Sequence, residues 1–196
     1  MIYLARHGQT DSNTTHTWQG QSGNDFLNEA GKQQATKLAQ YLEDKYISSI
    51  IASTLNRAHE TAEIISQQLN LDVVDEPLLK EMSYGDLEGN TTEEIIEDFP
   101  DIFNKWQEHP QLTSFPNGES FKDIQHRAKS IISAYFYTNE NIVLVSHEDM
   151  IRSIIVAVSG KVEEYWLPVI TNTSLTTFES KNVKLLITGI GETPHL

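Results

Sequence analysis

The sequence predicts an α/β fold with three layers: a mostly parallel β-sheet, helices on both faces of the sheet, and an antiparallel hairpin at one edge. Short apolar runs alternate with amphipathic helical patterns along the chain, which is the order expected of parallel strands. The run "NIVLVS" at Asn141–Ser146 has an apolar centre with no polar alternation, as is typical of a central strand buried on both faces. Near the C-terminus, two β-type runs flank Lys181 and Asn182 and predict the hairpin.

The other strands are expected at residues 2–5, 48–53 and 71–76, and the hairpin strands at 174–180 and 183–188. Pro77 follows the third of these runs and closes it, because proline cannot donate to the hydrogen-bond ladder of a sheet.

Apolar residues at helical spacing predict four long helices, and a shorter helix follows Thr91, whose hydroxyl can form a capping box with Glu94. The long helices fall within residues 28–46, 54–69, 118–137 and 148–160. In the first three of these, the residues expected to face the core are Ala35, Leu38, Ala39 and Leu42; Leu55, Ala58, Ala62, Ile65 and Leu69; and Phe121, Ile124, Ala128, Ile131 and Tyr135.

The chain has 196 residues, which fits a single domain spanning residues 1–196 with a full hydrophobic core. Its formal net charge of -14 argues against nucleic acid as a partner, since binding phosphates over a broad face needs clustered lysine and arginine. The sequence has no apolar run of bilayer length and no signal-peptide pattern, so we expect a cytoplasmic protein with no membrane partner. It has no cysteine, which excludes disulfides and thiolate sites.

Basic side chains follow three of the predicted strands. Arg6 and His7 come directly after the first strand, His147 directly after Asn141–Ser146, and Arg57 in the first helical turn after residues 48–53. Each alone is readily explained as an ordinary polar residue. Because ligands bind beyond the carboxyl ends of parallel strands, the coincidence favours one pocket for an anion. Guanidinium groups match phosphoryl oxygens, and a neutral imidazole can attack phosphorus.

The segment "ARHGQTDSN" resembles the signature Arg-His-Gly-x-Thr-x-x-Asn of the histidine phosphatase superfamily, also called phosphoglycerate mutase-like. Further blocks are similar in the same order: "STLNRAHETA" at 53–62, "LLKEMSYGDLEG" at 78–89, "PNGES" at 116–120, "VLVSHEDMIR" at 143–152 and "TNTSLTTF" at 171–178. The resemblance covers nearly the whole chain and implies the phosphoglycerate mutase-like fold.

The resemblance also implies roles for individual residues. His7 would be the nucleophile that forms a phosphohistidine, and Glu81 the general acid and then the general base. Arg6, Arg57 and His147 would bind the phosphoryl oxygens. Asn13 would assist them, and the Gln19-Gly20 loop would lie near the phosphate. No cofactor and no metal are expected, since arginine and histidine supply the positive charge.

We therefore expect a metal-independent phosphomonoesterase that acts on a small phosphorylated metabolite, as a monomer or a homodimer. The segment between Glu81 and Pro116 is mainly acidic and aromatic, which favours a phosphatase over a cofactor-dependent phosphoglycerate mutase. A catalytically weak phospho-ligand binding or regulatory module stays open, because Glu148-Asp149 stand where the family has small residues. These acids would repel an anion unless they point away or pair with a cation such as Arg152. A metal-dependent hydrolase is disfavoured, because the usual zinc-binding spacings are missing.

Overall fold

The computed structural model describes residues 1–182 and 184–196, and its centre is a six-stranded sheet. The strands are β1 (Ile2–Arg6), β2 (Ile47–Ala52), β3 (Val73–Asp75), β4 (Asn141–Ser146), β5 (Leu175–Lys181) and β6 (Lys184–Glu192). Their order in the sheet is β3-β2-β4-β1-β5-β6; the first four strands in this order run parallel, and β5 and β6 add an antiparallel edge, as predicted. Val183, which was expected to begin the last strand, lies outside the described residues.

Seven α-helices are found in the described part of the chain, and short 3-10 turns link several of them. They are α1 (Asp11–Thr14), α2 (Glu29–Leu42), α3 (Asn56–Leu69), α4 (Thr92–Asp98), α5 (Pro100–Glu108), α6 (Phe121–Tyr135) and α7 (Glu148–Ser159). Thr91 caps α4 in a capping box with Glu94, and α7 ends at Gly160, as expected. None of the described helices is long and apolar enough to cross a membrane.

Two hydrophobic cores lie on opposite faces of the sheet, and the alternation along β4 shows how they are divided. Ile142 and Leu144 point into the core beneath α6 and α7, whereas Val143 and Val145 point into the core beneath α2 and α3. This two-sided burial explains why β4 lacks a polar face, and it confirms the three-layer prediction.

Three sequence-based expectations need correction. The third strand is shorter than residues 71–76, with only Val73–Asp75 paired to β2. Tyr135 packs against the core as expected but is only half-buried, because its hydroxyl donates to the Glu76 carboxylate at 2.7 Å, and Phe136 is the fully buried neighbour. The helix α5 was not predicted. Its first residue is Pro100, which suits a first helical turn because the missing N–H has no partner there.

Candidate active site

The order of the central strands brings the predicted site residues to one edge of the sheet. Since β4 lies between β1 and β2, the segments that follow these three strands are neighbours. The backbone N–H of His7 donates to the Ser146 carbonyl at 3.0 Å, and the N–H of Ser53 donates to the Val145 carbonyl at 3.0 Å. His7, His147 and Arg57 therefore approach one another, although they are far apart in sequence.

His7 is buried, and its environment keeps the imidazole neutral. Its Nδ1 lies 2.7 Å from the Gly8 carbonyl oxygen. Because a carbonyl can only accept, Nδ1 carries the proton and Nε2 holds the lone pair. Burial and the positive charges of Arg57 and Arg6 lower the pKa of His7 well below its usual value. The ring is thus held in the tautomer and protonation state of a nucleophile.

His147 lies behind His7 rather than in the cavity wall. The two ring centroids are 5.1 Å apart, and His147 is completely buried. Its Nε2 lies 2.8 Å from the Ser53 hydroxyl oxygen, and its Nδ1 has no hydrogen-bond partner among the described residues. Burial, followed by the charge of Arg57, lowers its pKa well below the usual value.

Arg57 and Arg6 both place a positively charged guanidinium group near His7. Arg57, in the first turn of α3, is 1% exposed, and its Nη2 donates to the Gly20 carbonyl at 2.9 Å. Its Nε and Nη1 are buried without a partner in the described part of the chain, as is Nε of Arg6. The Nη1 of Arg6 donates to the Ile170 carbonyl at 2.5 Å and lies 2.6 Å from a Glu148 carboxylate oxygen.

Glu81 is a buried carboxyl group held by backbone donors. Its Oε1 accepts the N–H of Met82 at 2.9 Å and the N–H groups of Asp149 and Met150, at the N-terminus of α7, at 3.2 and 3.3 Å. Burial, and then the negative charge of Asp149, raises the pKa of Glu81 to about 7. A carboxyl group with this pKa can hold a proton at neutral pH and release it readily, as a general acid requires.

The three remaining predicted residues shape the loops around His7. Asn13 Oδ1 accepts the Thr10 N–H at 3.1 Å, which closes a capping box on α1. Gln19 donates to the Thr10 hydroxyl at 3.0 Å, and its Oε1 is buried without a partner among the described residues. Gly20 has a φ of +50°, and a Cβ there would lie 2.1 Å from the Glu88 carboxylate.

A cavity of about 710 Å³ opens over these groups. Its lining includes every predicted site residue except His147: Arg6, His7, Asn13, Gln19, Gly20, Arg57 and Glu81. His16, Arg152 and Trp166 also line it. The sequence indicated no role for His16 or Trp166, and it indicated Arg152 only as a cation with which Glu148 or Asp149 could pair. His16 has a φ of +54°, a conformation that its residue type does not reveal in the sequence.

The acids Glu148 and Asp149 are paired with cations and a phenol, which is one of the two arrangements that the sequence left open. Glu148 bridges two guanidinium groups, at 2.6 Å from both Arg6 and Arg152. Asp149 accepts the Tyr84 hydroxyl at 2.7 Å and lies 3.8 Å from Arg152 Nε. Within residues 1–182 and 184–196, no cluster of three or more histidine, aspartate or glutamate side chains is arranged to hold a metal ion.

A neutral buried imidazole, guanidinium N–H groups that have no partner among the described residues, and a carboxyl group with a pKa near neutral together suit phosphoryl transfer. That chemistry defines the class of enzyme. A family model described as the histidine phosphatase superfamily (branch 1) matches residues 2–193, and the chain belongs to this superfamily.

Relatives and solved structures agree with this family. The chain is 30% identical to phosphoserine phosphatase 1 of Hydrogenobacter thermophilus, over 100% of this chain and 93% of the relative. YhfR of Bacillus stearothermophilus superposes with a TM-score of 0.90 at 30% identity, covering 99% of this chain and 98% of that one. A phosphoserine phosphatase from Entamoeba histolytica, solved with phosphoserine, gives a TM-score of 0.88 at 27% identity, with 100% and 98% covered. The expected family, fold and enzyme class, a phosphoric monoester hydrolase, are confirmed.

Proposed function

We propose that the chain hydrolyses small phosphate monoesters through a phosphohistidine on His7, without a metal ion. The observation that carries this proposal is a set of buried guanidinium N–H groups beside the neutral imidazole that have no partner among the described residues: Arg6 Nε and Arg57 Nε and Nη1. A buried donor without a partner costs about 1–3 kcal/mol. The oxygens of a phosphoryl group would satisfy several such donors at once, and their charge would balance the guanidinium groups.

The proposed reaction has two steps. In the first, His7 Nε2 attacks phosphorus, the bond from phosphorus to the leaving oxygen breaks, and Glu81 gives its proton to that oxygen. In the second, the Glu81 carboxylate takes a proton from a water molecule whose oxygen attacks phosphorus. The N–P bond then breaks, which releases inorganic phosphate and restores both residues. The arginines stabilise the charge on the phosphoryl oxygens in both transition states.

Phosphatase activity is favoured over mutase activity by two of the relatives described above, those from Hydrogenobacter thermophilus and Entamoeba histolytica, whose names are those of phosphatases. The mutase alternative rests on more limited similarity: a probable phosphoglycerate mutase of Erwinia tasmaniensis is 33% identical over 74% of this chain. The residues between Glu81 and Pro116 are mainly acidic and aromatic, with few basic groups to hold a substrate carboxylate.

The decisive experiment is a turnover screen of the purified protein against p-nitrophenyl phosphate and a panel of phosphorylated metabolites, with and without EDTA. We expect His7-dependent release of phosphate that EDTA does not affect. Binding of phosphate or vanadate without any turnover would favour the binding module. Activity that EDTA abolishes and added metal restores would contradict the His7 mechanism.

The chain is proposed to act as one histidine phosphatase domain over residues 1–196. The cytoplasmic location, and the monomeric or homodimeric state, stay predictions. Size-exclusion chromatography with light scattering measures the second directly.

A further inference from the structure

The cavity is larger than a phosphoryl group needs, and its outer part has an aromatic wall. Trp18, Phe103 and Trp166 line this part. Trp18 packs against Tyr84 with ring centroids 4.7 Å apart, and Trp166 packs edge-on against Trp106 at 5.3 Å. These rings belong to one continuous aromatic cluster, so the wall is held rigidly by packing rather than by flexible side chains.

The charges of the cavity lining are unevenly placed. Arg6 and Arg57 lie beside His7, and Arg152 is the third lining arginine. The described residues contribute no lysine to the lining. Arg152 lies over the Trp166 ring, with its guanidinium carbon 5.2 Å from the ring centroid. Arg152 therefore places a cation at the aromatic wall, towards which the leaving group of a substrate would extend from the phosphoryl group.

Arg152 is already engaged by the protein. Its Nη2 donates to Glu148 at 2.6 Å, its Nη1 donates to the Tyr165 carbonyl at 3.1 Å, and its Nε lies 3.8 Å from an Asp149 oxygen. Glu148 itself lines the cavity, with its side chain 33% exposed. The positive charge of Arg152 is thus already balanced by Glu148. An incoming carboxylate would also lie close to the negative charge of Glu148, which would repel it.

We propose that Glu148 selects substrates by the charge of their leaving group. By holding Arg152, it makes the outer cavity a site for uncharged, ring-bearing alcohols and excludes alcohols that carry a carboxylate. This rests on the proposed phosphatase function. An apolar ring is stabilised by contact with the aromatic wall. A carboxylate would lose its hydration without gaining a cation as its partner. Specificity of this kind comes from repulsion as much as from attraction. The inference separates this chain from the phosphoserine phosphatases it resembles.

The test compares kcat/KM for esters that differ only in the group of interest. D-Glycerol 3-phosphate and 3-phospho-D-glycerate have the same configuration and differ only in a hydroxymethyl group that is replaced by a carboxylate, and benzyl phosphate adds a ring to an equally unactivated alcohol. For the wild-type enzyme we expect benzyl phosphate to be best and 3-phosphoglycerate to be worse than glycerol 3-phosphate by roughly tenfold or more. Ratios within one preparation are insensitive to the fraction of folded enzyme.

Glu148→Gln and Glu148→Ala are the deciding variants. Both should raise kcat/KM for 3-phosphoglycerate relative to glycerol 3-phosphate by roughly tenfold, because Arg152 is freed to meet the carboxylate. Adding Arg152→Met to Glu148→Ala should cancel that gain. Glu97→Gln, an exposed acid on α4 outside the cavity lining, is the control and should leave the ratio unchanged.

Equal kcat/KM for the two glycerol-derived esters in the wild type would overturn the proposal. An unchanged ratio in both Glu148 variants would overturn it too, while His7-dependent turnover of p-nitrophenyl phosphate would leave the phosphatase function standing. Loss of turnover on every ester, p-nitrophenyl phosphate included, would instead refute the proposed function on which the inference rests.

Discussion

The Glu81 carboxyl group accepts the backbone N–H of Asp149 at 3.2 Å, which places two buried acids at one end of α7. Burial, followed by the charge of Asp149, raises the pKa of Glu81 to about 7. Burial, followed by the charge of Glu148, raises the pKa of Asp149 to about 6, while Arg152, Tyr84 and Tyr165 favour its charged form. The two carboxyl groups therefore titrate as a pair near neutral pH, and their apparent pKa values belong to both.

Removing the negative charge of Asp149 should shift the pH profile of the enzyme. A neighbouring negative charge disfavours ionisation, so Asp149→Asn should lower the pKa of Glu81. In the proposed mechanism, esters with unactivated alcohols need protonated Glu81, and for these kcat should fall as pH rises through about 7 in the wild type. In Asp149→Asn the fall should begin at a lower pH. Stopped assays of phosphate release from pH 4 to 9 measure this fall in kcat, the alkaline limb of the pH profile.

The matched control for this titration is Glu97→Gln, which removes an exposed acid from α4. Its profile should superpose on that of the wild type. An unshifted limb in Asp149→Asn, with normal folding, would show that Asp149 does not tune Glu81.

Glu81→Gln should distinguish between leaving groups. A poor leaving alcohol needs a proton as the bond to phosphorus breaks, whereas p-nitrophenolate leaves without one. The variant should therefore lose about 10²–10⁴-fold in kcat on glycerol 3-phosphate and far less on p-nitrophenyl phosphate. Equal losses on both esters would argue that Glu81 holds the site together rather than donating a proton.

His7→Ala should abolish hydrolysis of every ester, because the covalent intermediate cannot form. The enzymes are mixed with ³²P-labelled substrate and quenched rapidly without acid. A labelled phosphoenzyme should be detected in the wild type and none in the variant. His59→Ala is the control: His59 lies outside the cavity lining and contacts Glu63 and Asp75 at 3.5 and 3.1 Å. If His7→Ala kept wild-type turnover, the nucleophile would have to be another residue.

Glu148→Gly should strengthen the binding of vanadate, which resembles the transferring phosphoryl group. Arg6 is shared with the Glu148 carboxylate at 2.6 Å, and removing that carboxylate frees a donor for the anion. We expect the Kd of vanadate to fall by about fivefold, as measured by inhibition of p-nitrophenyl phosphate turnover. The control is Glu93→Gly, which removes an exposed acid from the first turn of α4 and should leave the Kd of vanadate unchanged.

Sequence patterns predicted the elements whose signals are local. The bounds of β4 were predicted to the residue because an uninterrupted apolar run can only be buried on both faces. The capping box from Thr91 to Glu94 was predicted because it needs only two residues three positions apart. The approach of His7 to His147 followed from one topological rule, that ligands meet parallel strands at their carboxyl ends.

The sequence could not predict features that depend on pairing between distant segments. Nothing in the spacing indicates that Glu148 bridges Arg6, because the loop after β1 meets α7 only in the folded sheet. The same holds for Trp166 over Arg152, where an aromatic residue in a loop reads as ordinary packing. Phe136 is fully buried and Tyr135 is not, because the Tyr135 hydroxyl donates to the Glu76 carboxylate.

The position of β4 between β1 and β2 makes catalysis a property of the finished fold. His7 follows β1 and Arg57 follows β2, but these two strands are connected in the sheet only through β4 (Asn141–Ser146), which is far from both in sequence. Contacts over such long sequence separations form late and at a high entropic cost. A chain in which β4 is not paired therefore lacks the assembled site, and under the proposed function hydrolysis of an ester would report on completion of the sheet.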